Sequence, residues 1–228
     1  MDTPIISYTW SPWLNQIQSP WEKVLHLGVK RQFKKNSVVL GNAQRVNDLY
    51  YLYKGKIKVV STTSLGREKP IWYISSGNIF GEVPFLDGDL CYNIFTCQED
   101  CIVFTFSREV FSGKIIPQYP EVIKSVFGSM ALKMRNLSAQ INDVCLNSPK
   151  MRVYKMLYFL NPSNNGVLEV SQKELGDLLG IHRVTLNQIL NDLKDKGIIE
   201  PQKCKKRFNV LDIEKLLDQI KLEEQEGE

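Results

Sequence analysis

The sequence predicts an α+β fold in three parts: a jelly-roll β-barrel, one long helix, and a small helical domain that ends in two strands. Three observations favour it. Short β-branched and aromatic runs, punctuated by Gly, Asn and Asp, fill residues 32–107. Apolar residues then recur with heptad spacing, and two short amphipathic segments finally meet at Gly180. We therefore predict domains at 1–119, 120–147 and 148–228.

The composition is ordinary for a globular protein, with 43% hydrophobic and 24% charged residues. No run approaches the roughly 20 apolar residues that a membrane-spanning helix needs, and the N-terminal stretch lacks the basic leader of a signal peptide. Five cysteines, an odd number without close pairing, favour a reducing compartment. We expect a cytoplasmic protein with no membrane partner.

The predicted barrel rests on four runs that are typical of strands, which read SVVLGN, DLYYLYKGKIKVVS, EKPIWYIS and CIVFTFS. Short strands at this spacing favour a barrel or sandwich of the jelly-roll type. The first 30 residues are irregular and carry Trp10, Trp13 and Trp21. We expect this aromatic segment to pack against the strands.

The predicted long helix, 120–147, carries apolar residues that alternate at spacings of four and three. They are Ile123, Phe127, Met130, Met134, Leu137, Ile141 and Val144. This a/d pattern favours a dimer seam between two such helices. The alternative is an amphipathic helix that lies on the β-domain. The sequence NSP at 147–149 then predicts a break, because proline disfavours helical geometry in the residue before it.

The last domain has the layout of a winged helix-turn-helix. Ser171 and Glu174 form a capping box that begins one helix, and Gly180 suits its left-handed end. The second helix, 183–196, buries Leu186, Ile189, Leu190 and Leu193 at helical spacing. The stretch GIIEPQKCKKRFNVLD that follows predicts a strand, a basic turn and a strand, which together make a wing.

The outward face of the second helix suits double-stranded DNA, because Arg pairs with guanine, Asn or Gln with adenine, and a small apolar group with the thymine methyl. We predict base contacts by Arg183, Val184, Asn187 and Gln188. Contacts to the DNA backbone, which position without specifying, are predicted for Ser171, Thr185, Lys203, Lys205, Lys206 and Arg207. The alternative is a ligand-gated protein-interaction module that does not bind DNA.

These motifs together resemble the Crp/Fnr superfamily of bacterial transcription regulators across nearly the whole chain. The stretches DLYYLYKGKIKVV, SSGNIFGE and SQKELGDLLGIHRVTLNQILNDLKDKGII are similar to that family's sensor roll, roll loop and helix-turn-helix. The resemblance implies a homodimer whose cyclic-nucleotide-binding-like roll senses a small molecule or a redox signal. It also implies a two-fold symmetric DNA site and RNA polymerase as a partner.

In the DNA reader, the sequence departs from family members that read the common G-containing half-site. Those members carry Arg-Glu where this chain has Arg183 and Val184, and a second Arg at the position of Gln188. We therefore expect an inverted repeat of A·T-rich half-sites. His182 replaces the usual Ser or Thr cap, and we expect it to weaken the start of the helix.

The sensor also departs from the family pattern. Binders of cyclic AMP follow the Gly-Glu of the roll with an Arg-Ser pair, whereas this chain reads Cys91-Tyr92-Asn93 in that region and has no arginine from 68 to 102. Without that cation a cyclic phosphate would be held poorly. No cysteine precedes Cys91, so we expect no iron–sulfur cluster of the usual family type.

A closer subgroup is the halophenol-responsive regulators of organohalide respiration. They resemble this chain in an H-V-T type start of the recognition helix and in a lysine at the position of Lys133. Glu82 departs from their pattern, because that subgroup has a second lysine at this position. On this resemblance the effector pocket would hold Trp72, Tyr73, Glu82, Asn93 and Lys133. That set suits a flat, partly polar or acidic organic molecule. Lys133 could equally be a solvated flank of the helix seam.

Enzyme functions find little support. The chain has two histidines and contains no G-x-G-x-x-G, P-loop or G-x-S-x-G motif. We therefore predict neither catalysis nor a metal site. A redox-responsive regulator that uses Cys204, or Cys97 with Cys101, stays open as an alternative.

Overall fold

A computed structural model describes residues 10–14, 20–66, 68–160, 167–168, 171–202 and 207–226. It divides the chain into two compact units. One is Ser11–Asn136, and the other is Leu137–Glu228 together with Trp10. The division falls inside the long helix, whereas the sequence suggested boundaries on either side of it.

The first unit is a β-roll, which confirms the predicted fold class. Its strands are β1 (Trp13–Leu14), β2 (Val29–Phe33), β3 (Val38–Leu40), β4 (Gln44–Arg45), β5 (Asp48–Lys54), β6 (Lys56–Thr62), β7 (Glu68–Ser75), β8 (Asn78–Phe80), β9 (Leu90–Cys91), β10 (Asn93–Cys97) and β11 (Cys101–Ser107). One sheet has the order β1-β7-β6-β10-β3, a second has the order β2-β11-β5-β8, and β4 pairs with β9. All pairings are antiparallel except that of β1 with β7.

A single apolar core fills the roll. It contains buried side chains from both large sheets and from a short 3-10 helix, Pro20–Leu27. Aromatic rings stabilise it in pairs, with centroids 5.5 Å apart for Phe80 and Phe95 and 5.2 Å apart for Trp21 and Phe106. The expected packing of the aromatic N-terminal segment is therefore confirmed at Trp21.

One short helix lies between β8 and β9, and three further helices follow β11. They are α1 (Glu82–Asp87), α2 (Arg108–Val110), α3 (Ile116–Gln118) and the long α4 (Pro120–Leu146), with a π-helical turn Phe111–Ile115 between α2 and α3. One face of α4 is buried through Val122, Val126 and Lys133. Five of the seven a/d residues are exposed, with Phe127 at 66% and Met134 at 71%, whereas Ile123 and Met130 are partly buried and pack against the core of the roll. The two interpretations of α4 from sequence are therefore compatible, because the helix has one face for the roll and another that is uncovered.

The second unit is a winged helix-turn-helix, as predicted. Beyond α4 it contains α5 (Pro149–Leu160), β12 (Val167–Leu168), α6 (Gln172–Leu179), α7 (Arg183–Asp195), β13 (Ile199–Gln202), β14 (Arg207–Val210) and α8 (Ile213–Glu226). The three strands form an antiparallel sheet in the order β12-β14-β13. Neither β12 nor α8 was expected from the sequence. Among the described residues, no helix is both long and apolar enough to cross a membrane.

Candidate DNA interface and effector site

The turn between α6 and α7 has the conformation that the capping signals predicted. We call α7 the reading helix, because its outward face is the one predicted to contact bases. The Ser171 hydroxyl accepts a hydrogen bond from the backbone N–H of Glu174 at 3.2 Å, and the Glu174 carboxylate accepts one from the backbone N–H of Ser171 at 2.9 Å. Gly180 ends α6 with φ 63°, a left-handed conformation that glycine adopts without strain. A Cβ on Gly176 would lie 3.2 Å from the Ile181 carbonyl oxygen, so glycine also permits the close approach of the turn to α6.

The capping box changes what Ser171 can do. Its hydroxyl also donates to Glu174 Oε2 at 2.7 Å, and its backbone N–H donates to the same oxygen. Both donors are therefore used inside the protein. The phosphate contact that we predicted for Ser171 is not supported, because a phosphate would have to break the capping box.

His182 provides a side-chain cap for the reading helix. Its backbone is extended, with φ −63° and ψ 143°, and its Nδ1 accepts a hydrogen bond from the backbone N–H of Val184 at 3.4 Å. The imidazole ring thus takes the role that the hydroxyl of Ser or Thr has in most caps. The bond is long, so the expectation that His182 gives a weaker start than Ser or Thr stays a prediction.

The reading helix α7 presents a mixed face. Val184 is 58% exposed, Arg183 and Gln188 are exposed, and Thr185 and Asn187 are partly exposed. The opposite face is buried and consists of Leu186, Ile189, Leu190 and Leu193. An uncovered valine thus lies beside two long side chains that can make hydrogen bonds, which is the arrangement that the sequence predicted.

The wing is formed by β13 and β14, with Gln202, the last residue of β13, paired opposite Arg207. Arg207 begins β14. Four wing residues singled out in the sequence, Lys203, Cys204, Lys205 and Lys206, lie outside the described residues. Their roles therefore stay predictions.

The buried Arg152 of α5 contacts the C-terminal end of α6, and this contact was not predicted from the sequence. Its Nη1 donates to the carbonyl oxygen of Leu179 at 2.7 Å, and the side chain is buried. Leu179 is the last residue of α6, where a helix leaves carbonyl groups without intrahelical partners. The available signal was that the stretch KMRVYKMLYFL places three basic residues among apolar ones.

The break between α4 and α5 is held by the C-terminal helix. The Ser148 hydroxyl donates to Glu223 Oε1 at 2.8 Å, and Lys150 Nζ lies 2.6 Å from Glu223 Oε2. Burial raises the pKa of Glu223, but the hydrogen bonds from Lys150 and Ser148 outweigh it, so the pKa is lowered overall. Lys155 Nζ donates to Asn147 Oδ1 at 3.3 Å. No periodic pattern in the sequence predicts these contacts.

In the first unit, the fold joins two of the predicted pocket residues in a buried ion pair. Lys133 Nζ lies 2.6 Å from Glu82 Oε1 and also donates to the carbonyl oxygen of Ile79 at 2.9 Å. The exposed fraction is 7% for Lys133 and 3% for Glu82. Lys133 is therefore not a solvated flank of the seam, which decides between the two alternatives that the sequence left open.

The predicted aromatic wall does not form. Trp72 lies in the core of the roll, whereas Tyr73 stacks on Trp13 with ring centroids 6.1 Å apart and with the Lys56 ammonium 5.2 Å from its own centroid. Successive residues of a strand point to opposite faces, so Trp72 and Tyr73 cannot line one pocket together. Asn93 begins β10 opposite Ser61 and is partly exposed.

The cysteines of the roll are poor candidates for a thiolate switch. Cys97 and Cys101 are buried. Burial, together with a hydrogen bond to Cys101, raises the pKa of Cys97 to about 12. A thiol with so high a pKa is almost wholly protonated near neutral pH and reacts slowly. Among the described residues, no group of three or more His, Cys, Asp or Glu side chains could hold a metal ion.

Comparison with known families identifies both halves of the chain. Residues 30–115 match the cyclic nucleotide-binding domain, and residues 151–219 match the Crp-like helix-turn-helix domain. Together these matches span more than half of the sequence. A curated relative, the cAMP-activated global transcriptional regulator CRP of Pasteurella multocida, is 23% identical over 176 residues, which cover 74% of this chain and 84% of the relative.

Solved structures share the fold. A variant of CprK complexed with OCPA superposes with a TM-score of 0.77 at 22% identity, covering 92% of this chain and 97% of the other. A variant of CooA from Carboxydothermus hydrogenoformans superposes with a TM-score of 0.76 at 17% identity, covering 91% and 96%. The matched families and relatives are regulators and not enzymes, which confirms the expectation of a protein without catalytic activity. The chain belongs to the Crp/Fnr family and is a DNA-binding transcription regulator of that type.

Proposed function

We propose that this regulator acts as a homodimer, reads an inverted repeat of A·T-rich half-sites, and responds to a small molecule other than cyclic AMP. The observation that carries the proposal is the mixed face of α7, where the exposed Val184 lies between the exposed Arg183 and Gln188. A valine on this surface suits a thymine methyl, and the glutamine suits adenine.

The exposed stripe of α4 supports the homodimer. Phe127, Met134 and Ile141 are each more than 60% exposed, although α4 buries its other face in the roll. Exposed apolar residues at a/d spacing favour pairing with a second helix, which removes their apolar surface from water. A two-fold pair presents two copies of α7, and the centres of the two half-sites then lie about one helical turn apart.

The ion pair under α4 supports an effector other than cyclic AMP. The Lys133 ammonium is satisfied by Glu82 and by the Ile79 carbonyl oxygen. A cyclic phosphate would meet this carboxylate, and the roll offers no arginine between 68 and 102 to offset the repulsion. A small organic acid or phenol with apolar bulk could replace Glu82 as the partner of Lys133.

Replacement of Glu82 by the effector as the partner of Lys133 would switch the regulator between two arrangements. The cyclic nucleotide-binding match and the cAMP-activated relatives support control by a small molecule through the roll. Glu82 begins α1 and Lys133 lies in the middle of α4, so the pair joins the roll loop to the helix that carries the stripe. A ligand shifts the equilibrium only as far as it binds one arrangement better than the other. We infer that the regulated output passes to RNA polymerase at the promoter.

The test of DNA reading is selection of bound duplexes from a random pool by the wild-type protein. The expected product is an inverted repeat rich in A·T, and a repeat rich in G·C or a lone half-site would overturn the proposal. Calorimetry tests the effector with cyclic AMP and with a small aromatic acid or phenol. Tight binding of cyclic AMP would contradict the account of the ion pair.

A further inference from the structure

We propose that Gln172, at the start of α6, sets the base preference of Asn187 on the reading helix. The proposal rests on the function proposed above and deepens it, because it names a residue that controls specificity without reading a base itself. The observation is a hydrogen bond in which Gln172 Nε2 donates to Asn187 Oδ1.

The bond joins the two helices of the motif at the DNA-reading surface. Gln172 is the first residue of α6, and Asn187 lies one turn into α7, next to Gln188. Both side chains are partly exposed. The capping box and the Gly180 turn place the start of α6 beside α7, which brings the two side chains together.

The direction of the bond decides what Asn187 can offer to DNA. A side-chain amide has one acceptor oxygen and one donor NH₂ group. With Oδ1 turned toward Gln172, Nδ2 is the group left to point outward, and within the part of the chain that the structure describes we find no partner for it. Asn187 is therefore a donor toward the groove. It does not make the bidentate contact to adenine that the residue type suggested.

A donor at this place has a definite preference. In the major groove, guanine, adenine and thymine each present an acceptor, whereas cytosine presents only its N4 donor. Asn187 should thus tolerate three bases and reject cytosine at the position it faces. The pairing with Gln172 turns a residue that commonly selects adenine into one that selects against cytosine.

Gln172→Glu tests this inference directly. The carboxylate that replaces the amide can only accept, so the Asn187 amide turns over, donates Nδ2 to it and presents Oδ1 to the groove. The preference at that position should change to bases with a donor, adenine and cytosine. In competition binding with duplexes varied one base pair at a time, cytosine should gain about fivefold or more relative to guanine and thymine, at one position in each half-site.

Two controls separate this effect from a change of charge or of packing. Lys173→Gln alters the net charge by the same amount on a neighbouring exposed residue, and it should weaken all duplexes alike. In an Asn187→Ala background, Gln172→Glu should no longer alter any base preference. A helix that merely loses stability would not change the favoured base at one position.

The outcomes distinguish the inference from the proposed function. If Gln172→Glu binds the selected repeat with the base profile of the wild type, the inference is wrong and the proposed function stands. If the wild type selects no repeat, the proposed function fails and takes the inference with it. Should Gln172→Glu not fold, Asn187→Asp replaces it, because its second carboxylate oxygen would face the groove and favour cytosine in the same way. An unchanged profile for that variant would equally refute the inference.

Discussion

The exposed stripe of α4 and the exposed face of α7 are both uncovered, but they differ in chemistry. The α4 stripe is apolar along its length, with Phe127, Met134 and Ile141 strongly exposed. The α7 face has one exposed valine among side chains that make hydrogen bonds. A continuous apolar stripe is suited to another helix, whereas a mixed face is suited to the donors, acceptors and methyl groups of base edges. The difference teaches that the pattern of exposure distinguishes a protein partner from a DNA partner.

The largest effect should come from a charge in the stripe. Leu137→Lys would bury an unpaired ammonium in the dimer interface and cost several kcal/mol of association free energy, on the order of 3–5 kcal/mol. Sedimentation should show a monomer at concentrations where the wild type is a dimer. Asn142→Lys is the matched control, because it adds the same charge to an exposed position of α4 outside the stripe. A dimer that persists in Leu137→Lys would refute the seam.

The next effect tests the inner face of the same helix. Glu82→Gln leaves the buried Lys133 ammonium without its counter-charge, and breaking a buried pair in this way costs about 3 kcal/mol or more. Urea unfolding should report the loss, and adding Lys133→Met should recover most of it. The same change in an exposed pair, Glu121→Gln beside Lys23, should cost much less, because water screens the charges of that pair. Equal losses at the two sites would show that Lys133 and Glu82 are not a buried pair.

A smaller, sequence-dependent effect should follow changes on the reading face. Arg183→Ala or Gln188→Ala should cost about 1–3 kcal/mol of binding free energy on the preferred site and relax the base preference there. Neutralising Lys205 or Arg207 in the wing should weaken all sequences alike and flatten the dependence of binding on salt. Titrations against specific and scrambled duplexes at several salt concentrations separate the two classes. If Gln188→Ala weakened both duplexes equally, Gln188 would be a backbone contact and not a base reader.

The smallest effect concerns the ion pair between Lys150 of α5 and Glu223 of α8. Glu223→Gln removes the charge that holds Lys150, and because Lys150 is 41% exposed the loss should be only about 0.5–1 kcal/mol of unfolding free energy. The pKa of Glu223 is lowered in the folded protein, so its contribution is present above the unfolded pKa and disappears as the pH falls through the folded value. The wild type should therefore lose its advantage over the variant in acid. Thermal melts at pH 7 and in mild acid measure this, and a difference independent of pH would exclude the charge as the cause.

Sequence reasoning succeeded where the signal is local and periodic. The capping box of Ser171 and Glu174, the left-handed Gly180 and the buried leucines of α7 each follow from spacing within a few residues. The same reasoning should have rejected a wall made from Trp72 and Tyr73, because neighbours on a strand face opposite sides.

Long-range polar contacts could not be predicted in this way. Lys133 and Glu82 were both suspected, but nothing in the sequence shows that they pair, since the partners are separated by 51 positions. Arg152 on Leu179 and Gln172 on Asn187 are similar cases. Such contacts depend on the final packing of helices and leave no periodic trace, so only the fold reveals them.

The most direct test of a dimer that reads two half-sites is the dependence of binding on their separation. The wild type is titrated with the selected repeat, with the same repeat lengthened by about five base pairs, roughly half a helical turn, and with a single half-site. We predict two chains per duplex on the selected repeat and a large loss of affinity on both altered duplexes, because the second half-site then faces away from its α7 helix or is missing. Equal affinity for all three duplexes would contradict the account.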